Sequence, residues 1–341
     1  MDTLRGIAIG LVILDHTGDL VETNVGGLPV WIDVVDDAVA PFRMATLVFL
    51  SGMLLPASLR KRGWVYLSGK LRRIGWPYLV WSFIVITLLT ATTQITGRPI
   101  DLMLYARTFN PFAPPTYLWY LYYLLLYYVI ALALRRVPWW VLSIAAMIVA
   151  ALITGPFPTF GRLFYLMALF FLGATAQEYL PRWEALLRHW AFRSVVVAVA
   201  AVTLFLAGSG VTVRYQPQYI WGAFAGLCVL ILIAQAVAHT RAGRVLAQNG
   251  QRSIVYYCTH WSAILIAYHL LVRVGVHNSL LLFALTLVAG VGSGYLMLKI
   301  VARWQWVDWL YEWNPGGSKK RQVDRGVPVA AAPSRIRARE D

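Results

Sequence analysis

Met1-Asp2-Thr3-Leu4-Arg5-Gly6-Ile7-Ala8-Ile9-Gly10-Leu11-Val12-Ile13-Leu14-Asp15-His16-Thr17-Gly18-Asp19 is the stretch that decides how this chain is read. It is apolar in outline, yet it carries Arg5 and His16. Ionisable side chains inside a membrane span are rare and mark a functional site by default. Eleven positions separate the two residues. At about 100° and about 1.5 Å per residue that is about three helical turns, so both side chains share one face about 16 Å apart in depth. The segment presents a cation near one membrane surface and an imidazole deep in the bilayer.

Composition sets the class. Hydrophobic residues are 59% of the 341-residue chain and charged residues 13%, with a mean hydropathy of +0.63. That leaves too little polar surface to wrap a soluble core and suits a chain made mostly of spans. The formal charge of +15 is not the footprint of a nucleic-acid groove, because Lys and Arg fall in alternate loops and at the C-terminal end, as membrane topology requires. Cys228 and Cys258 lie in apolar runs without a CxxC or His-rich setting, so neither a disulfide framework nor a metal site is implied.

Apolar runs of membrane length number ten, near 4–22, 39–58, 76–95, 116–134, 138–154, 162–179, 192–208, 218–238, 254–272 and 279–302. The first is short at its N-terminal side, as in a chain that has lost a few upstream residues. No cleavable signal peptide is needed, since the first apolar run holds Arg5 and His16 and no A-x-A site follows. The expected fold is an all-α integral membrane protein with about ten transmembrane helices. Loop charge orients it. Arg60, Lys61, Arg62, Lys70, Arg72, Arg73, Arg135, Arg136, Arg182, Arg188, Arg193, Arg241, Arg244 and Arg252 share one side, against Arg98, Arg107, Arg162, Arg214 and Arg273 on the other. Both termini are therefore expected in the cytoplasm of a multi-pass inner (plasma) membrane protein. Glu22, Asp33, Asp36, Asp37, Asp101 and a Pro-rich stretch through Pro115 read as outer loops. Residues 1–313 form the transmembrane domain, and 314–341, rich in Gly, Pro, Lys and Arg, read as a disordered basic tail.

Several side chains could carry chemistry. A His near neutral pKa and oriented by a carboxylate is the usual general base toward a hydroxyl. For His16 the expected partner is Asp19, one turn on; Asp15 is about 100° round the helix and less well placed. Arg5 is either an anchor paired with Asp2 or a guanidinium for a phosphate or acyl carbonyl. Arg43 reads as a further membrane-edge cation, and Lys70, Arg72 and Arg73 form the densest basic cluster before the tail, suited to a phosphorylated donor. Ser51-Gly52 reads first as a helix-packing pair, with Ser51 as nucleophile the rarer alternative. Trp119-Tyr120-Leu121-Tyr122-Tyr123 holds too many aromatics for anchoring alone and is expected to line a cavity. His260, taken alone, reads as a packed core histidine.

Taken together these motifs resemble acyltransferase family three, the multi-span bacterial O-acyltransferases whose hallmark is Arg, ten residues, then His. Arg5 and His16 reproduce it. Arg43-Met44, Phe49-Leu50-Ser51-Gly52, the run from Lys70 to Tyr78, Leu118-Trp119-Tyr120-Leu121, Phe170-Phe171-Leu172-Gly173 and Ser253 through His260 follow in the family's order. The Lys70-Leu71-Arg72-Arg73 run departs from the family's Arg-x-Arg element. The resemblance implies no bound cofactor, an acyl-CoA co-substrate, usually acetyl-CoA, on the cytosolic side, and a hydroxyl acceptor, often a sugar or glycan, reached from outside. With the residue reading above, the expected catalytic set is His16, Arg5 and Asp19, with Lys70, Arg72, Arg73 and Arg43 at the donor and Ser51, Trp119, Tyr120 and His260 at an acceptor or structural site.

Two other readings compete. Ten spans with intramembrane charge also suit a transporter or flippase, although no matching pair of broken helices is visible. An unrelated membrane acyltransferase with a buried catalytic histidine would keep the reaction and move the base to His260.

Overall fold

The structure, a computed structural model, describes residues 1–95, 103–108, 110, 116–153 and 158–314, and every regular element among them is helical. Helices α1 (Asp2–Asn24) and α2 (Val30–Met53) make a hairpin, and α3 (Leu55–Leu59) leads to α4 (Gly63–Lys70). A π-turn, Leu71–Gly75, joins α4 to α5 (Trp76–Ile95). Then follow α6 (Met103–Arg107), α7 (Trp119–Ala133), α8 (Trp139–Leu152), α9 (Pro158–Glu178), α10 (Leu180–Arg188) and α11 (Trp190–Gly208). The last elements are α12 (Ile220–Val237), α13 (Arg241–Gln251), α14 (Ser253–Arg273), α15 (Ser279–Arg303) and a closing 3₁₀ turn, Gln305–Leu310.

Seven helical stretches among the described residues are long and apolar enough to cross a membrane. Helices α7 and α8 are equally apolar but shorter. Helix α1 is long enough but charged, and it packs against α2, α12, α13, α14 and α15. Leu4, Ala8, Val12, Ile13, Leu20 and Val21 are buried along it. Enclosure of this kind lets a helix hold ionisable residues, because they meet protein rather than lipid.

Lipid tails are as apolar as leucine, so helices in a bilayer associate through close packing at small residues. Four glycines show it. A Cβ on Gly52 would sit 1.9 Å from the Phe170 carbonyl oxygen, and one on Gly173 2.1 Å from that of Phe49, which locks α2 to α9. Gly6 and Gly250 do the same for α1 and α13, at 2.1 Å from the Leu246 oxygen and 1.9 Å from the Asp2 oxygen. Gly52→Ala should therefore part α2 from α9 and destabilise the protein by about 1–3 kcal/mol. A lower thermal-unfolding midpoint in detergent checks this, and an unchanged midpoint would contradict the close approach.

Expected spans 254–272 and 279–302 compare closely with α14 and α15. Two expectations are corrected. Helix α2 starts at Val30, so Asp33, Asp36 and Asp37 stand within it and not in a loop, with Asp33 in the first turn, where a carboxylate is favoured by the helix dipole. The basic stretch before residue 76 is helical from Gly63 and runs through the π-turn into α5. Its one inward cation, Lys70, lies 3.5 Å above the Tyr128 ring, which lets a charged helix enter the bundle.

The segment after α15 folds back on α5. Trp76 Nε1 donates to the Trp309 carbonyl (2.7 Å), Trp81 Nε1 to that of Leu310 (3.1 Å), and the Trp313 amide to that of Arg72 (3.1 Å). Arg98, Asp101, Pro111–Pro115 and the tail from residue 315 lie outside the described residues.

Candidate active site

His16 on α1 and His260 on α14 stack. Their ring centroids are 5.3 Å apart with 15° between planes. Trp261 meets the His16 ring edge-on at 5.3 Å, and Tyr117, just before α7, stands 5.1 Å from His260 and 6.0 Å from His16. Tyr117 is held at both ends: its hydroxyl donates to the Cys258 carbonyl, and the Tyr257 hydroxyl donates to its own carbonyl. His260 is fully buried, with Nδ1 3.0 Å from the Tyr256 carbonyl oxygen. A carbonyl only accepts, so Nδ1 carries the hydrogen and Nε2 is a bare lone pair. That Nε2 is buried and has no hydrogen-bond partner among the described residues.

The carboxylate beside His16 is Asp15. Its Oδ2 lies 3.6 Å from His16 Nδ1, while its Oδ1 accepts a hydrogen bond from Arg43. Arg43 is fully buried and also donates to Asp36 at 2.7 Å. Two expectations fail here. Asp19 is exposed and not the partner of His16; Arg43, reaching across from α2, draws the Asp15 carboxylate to the histidine side of α1. Arg43 itself is no donor-phosphate residue at a membrane edge, because two carboxylates already occupy its guanidinium. His16 keeps 21% of its side-chain surface exposed, whereas His260 is fully buried, so of the two imidazoles only His16 has an open edge.

Nearer the start of α1 is a second cluster. Arg5 lies 3.7 Å from Asp2 and within electrostatic reach of Tyr120 and Tyr128. Tyr120 Oη is 3.1 Å from Ser51 Oγ, and the Tyr128 hydroxyl donates to the Ser51 carbonyl at 3.0 Å. The Ser51 hydroxyl donates to the Leu47 carbonyl (2.8 Å). Ser51 thus ties α2 to α7, and among the described residues its hydroxyl meets the Leu47 carbonyl and the Tyr120 hydroxyl rather than a base. Lys70 hangs over Tyr128 in the same cluster. Arg72 and Arg73 are exposed, and Arg73 Nε donates to Glu312 (3.2 Å). A concavity of 520 Å³, lined by Gly63, Leu132, Ala133, Arg135 and Arg136, opens at the start of α4.

Trp119 and Tyr120 part company. Tyr120 turns to Ser51, and Trp119 turns to Arg162, whose guanidinium carbon is 4.2 Å from the indole centroid. Sequence reasoning counted Arg162 and Arg214 only as loop charges and passed over Tyr117 and Trp261 altogether. The two arginines carried one signal, their place on the charge-poor side; the aromatics carried none, since their contacts cross helices far apart in sequence. Among the described residues no group of three or more His, Cys, Asp or Glu side chains could hold a metal ion.

The family model for the acyltransferase domain, acyltransferase family three, matches residues 1–299. No curated protein and no solved structure matches the chain. The matched region runs from the Arg5 to His16 segment through His260 and most of α15, and on that basis the chain belongs to acyltransferase family three.

Proposed function

We propose that this chain is a multi-pass membrane O-acyltransferase that moves an acetyl group from acetyl-CoA to a hydroxyl of a sugar or glycan. The observation that carries the reading is the partly exposed His16, backed by the His260 ring and flanked at 3.6 Å by an Asp15 carboxylate that a buried Arg43 holds in place. With Nδ1 turned to Asp15, His16 has Nε2 free to act as base. In the reaction His16 takes the proton of the acceptor hydroxyl, and that oxygen bonds to the thioester carbonyl carbon. The carbon–sulfur bond then breaks, and the CoA thiolate regains a proton.

The donor enters at the start of α1. Arg5 and Lys70 converge there on Tyr128, while exposed Arg72 and the concavity with Arg135 and Arg136 suit the anionic groups of CoA. Topology supports the same direction. Counting α1, α7 and α8 with the seven longer stretches would make ten spans, and the basic loops on the inner side of the membrane would put both termini in the cytoplasm. The acceptor then reaches His16 from the opposite face.

The test uses purified protein in detergent with acetyl-CoA and a sugar acceptor. Acceptor-dependent thiol release, with one acetyl added to the sugar by mass spectrometry, is the expected result. Uptake of sugar into proteoliposomes without thioester turnover would replace the reading with a transporter. Lys70→Met should raise the KM for acetyl-CoA about tenfold, as loss of a bond of about 1.5–3 kcal/mol to a charged group predicts, with kcat changed less.

A further inference from the structure

Beyond the histidine pair, Arg162 and Arg214 hold buried hydrogen-bond donors that no described residue fills. Arg162 Nε and Arg214 Nε are both buried without a hydrogen-bond partner among the described residues. Neither guanidinium has a carboxylate within 4.0 Å among the described residues. Their remaining contacts are long: Arg162 to the Tyr123 hydroxyl at 3.5 Å and Arg214 to the Tyr215 hydroxyl at 3.5 Å. Aromatic rings complete the setting, with Trp119 4.2 Å from Arg162 and Tyr215 5.0 Å from Arg214. Both side chains are half-buried, and the part of a cation withdrawn from water normally recruits an anion or acceptors. These two have recruited rings.

The arginines belong to one neighbourhood. Tyr123 interacts with both Arg162 and Tyr215, and Arg214 is within electrostatic reach of His16, Asp15 and Asp36. Tyr215 links them, and its backbone has φ +60°, the one non-glycine in the left-handed region among the described residues. Such a conformation persists only where the surroundings enforce it, and it clusters at ligand sites. Through Arg214 the cluster reaches the group of His16, Asp15 and Asp36.

We infer that Arg162 and Arg214 form an oxyanion-recognition subsite for the acceptor, so that the hydroxyl acylated at His16 belongs to an anionic saccharide bearing a carboxylate or phosphate. This rests on the acyltransfer reading above. The planar guanidinium fork matches both oxyanions bidentately, and the empty Nε donors are the ones such a group would fill. Trp119 supplies a flat ring beside the charge, as a pyranose requires.

The experiment measures binding, without acetyl-CoA, to the full-length protein in phosphatidylcholine nanodiscs. The probes are 4-nitrophenyl β-D-glucuronide against 4-nitrophenyl β-D-glucoside, and glucose 6-phosphate against glucose. At least one anionic probe should bind about tenfold or more tightly than its neutral partner, a difference of one decade in Kd. Arg162→Gln or Arg214→Gln should collapse that ratio toward one, and Arg214→Lys should restore part of it. Ratios near one in the wild-type protein overturn the proposal, whatever the variants do. Ratios that survive both Gln substitutions in folded protein overturn it too. Loss of the wild-type preference when phosphatidylglycerol enters the nanodiscs would identify the occupant as a lipid phosphate and also overturn the saccharide assignment. Failure of the acyltransfer reading is separate: it appears as no thiol release with any acceptor, while these binding ratios are measured without turnover.

Discussion

His16→Ala is expected to lower acyl transfer by about 10²–10⁴-fold, the range over which a positioned general base acts. The loss should fall on kcat, with the KM for acetyl-CoA little changed, because Arg5 and Lys70 lie at the other end of α1. Thiol release measured on purified, monodisperse protein checks it, and near-wild-type turnover would remove His16 from the mechanism. The neighbours grade the effect. Asp15→Asn weakens the alignment of the ring and should cost less than losing the ring. His260→Ala takes away the buried ring behind His16 and touches no solvent-reachable atom, so its loss should be smaller again. If His260→Ala were the more damaging change, the base would be His260 and the sequence's rival reading would return.

Arg43→Met is expected to destabilise the protein by about 3–5 kcal/mol, the usual consequence of deleting one partner of a buried ion pair. Arg43 has no exposed surface and bonds both Asp15 and Asp36. Removing it leaves two carboxylates facing each other across the α1 and α2 seam. The midpoint of thermal unfolding in detergent should fall sharply, and activity should fall with it as Asp15 loses its anchor. A double-mutant cycle gives the stricter check. Adding Asp15→Asn to Arg43→Met should recover part of the lost stability, because the stranded charge is then gone. Strict additivity would mean that the two groups are not coupled.

Much of this architecture was readable from residue order. Long apolar runs located α11, α12, α14 and α15 within a few residues, since apolar length is what the bilayer selects. The Arg5 and His16 spacing put both residues on one helix. The start of α2 was missed because Pro41 and the carboxylates at 33, 36 and 37 resemble a loop; the better signal was Gly26-Gly27-Leu28-Pro29, where both glycines take positive φ. That error hid Arg43, since a residue thirteen positions into a helix was taken for one at its mouth. The choice of Asp15 over Asp19 was out of reach for α1 alone, because Arg43 on the neighbouring helix makes it. Likewise nothing near residue 16 announces residue 260, whose ring arrives only through the packing of α14 on α1.

The Arg43 to Asp15 pair also bears on how the protein is made. A first span with carboxylates and a histidine is a poor candidate to rest in lipid by itself. The second span to leave the ribosome brings the cation that neutralises it, so α1 and α2 can enter the bilayer as a hairpin carrying its own counter-ions. His260 comes on the far later α14, which makes the histidine pair one of the last contacts to form during synthesis. A chain that stops short of α14 would then hold its first charged pair in place and still lack the ring that backs His16.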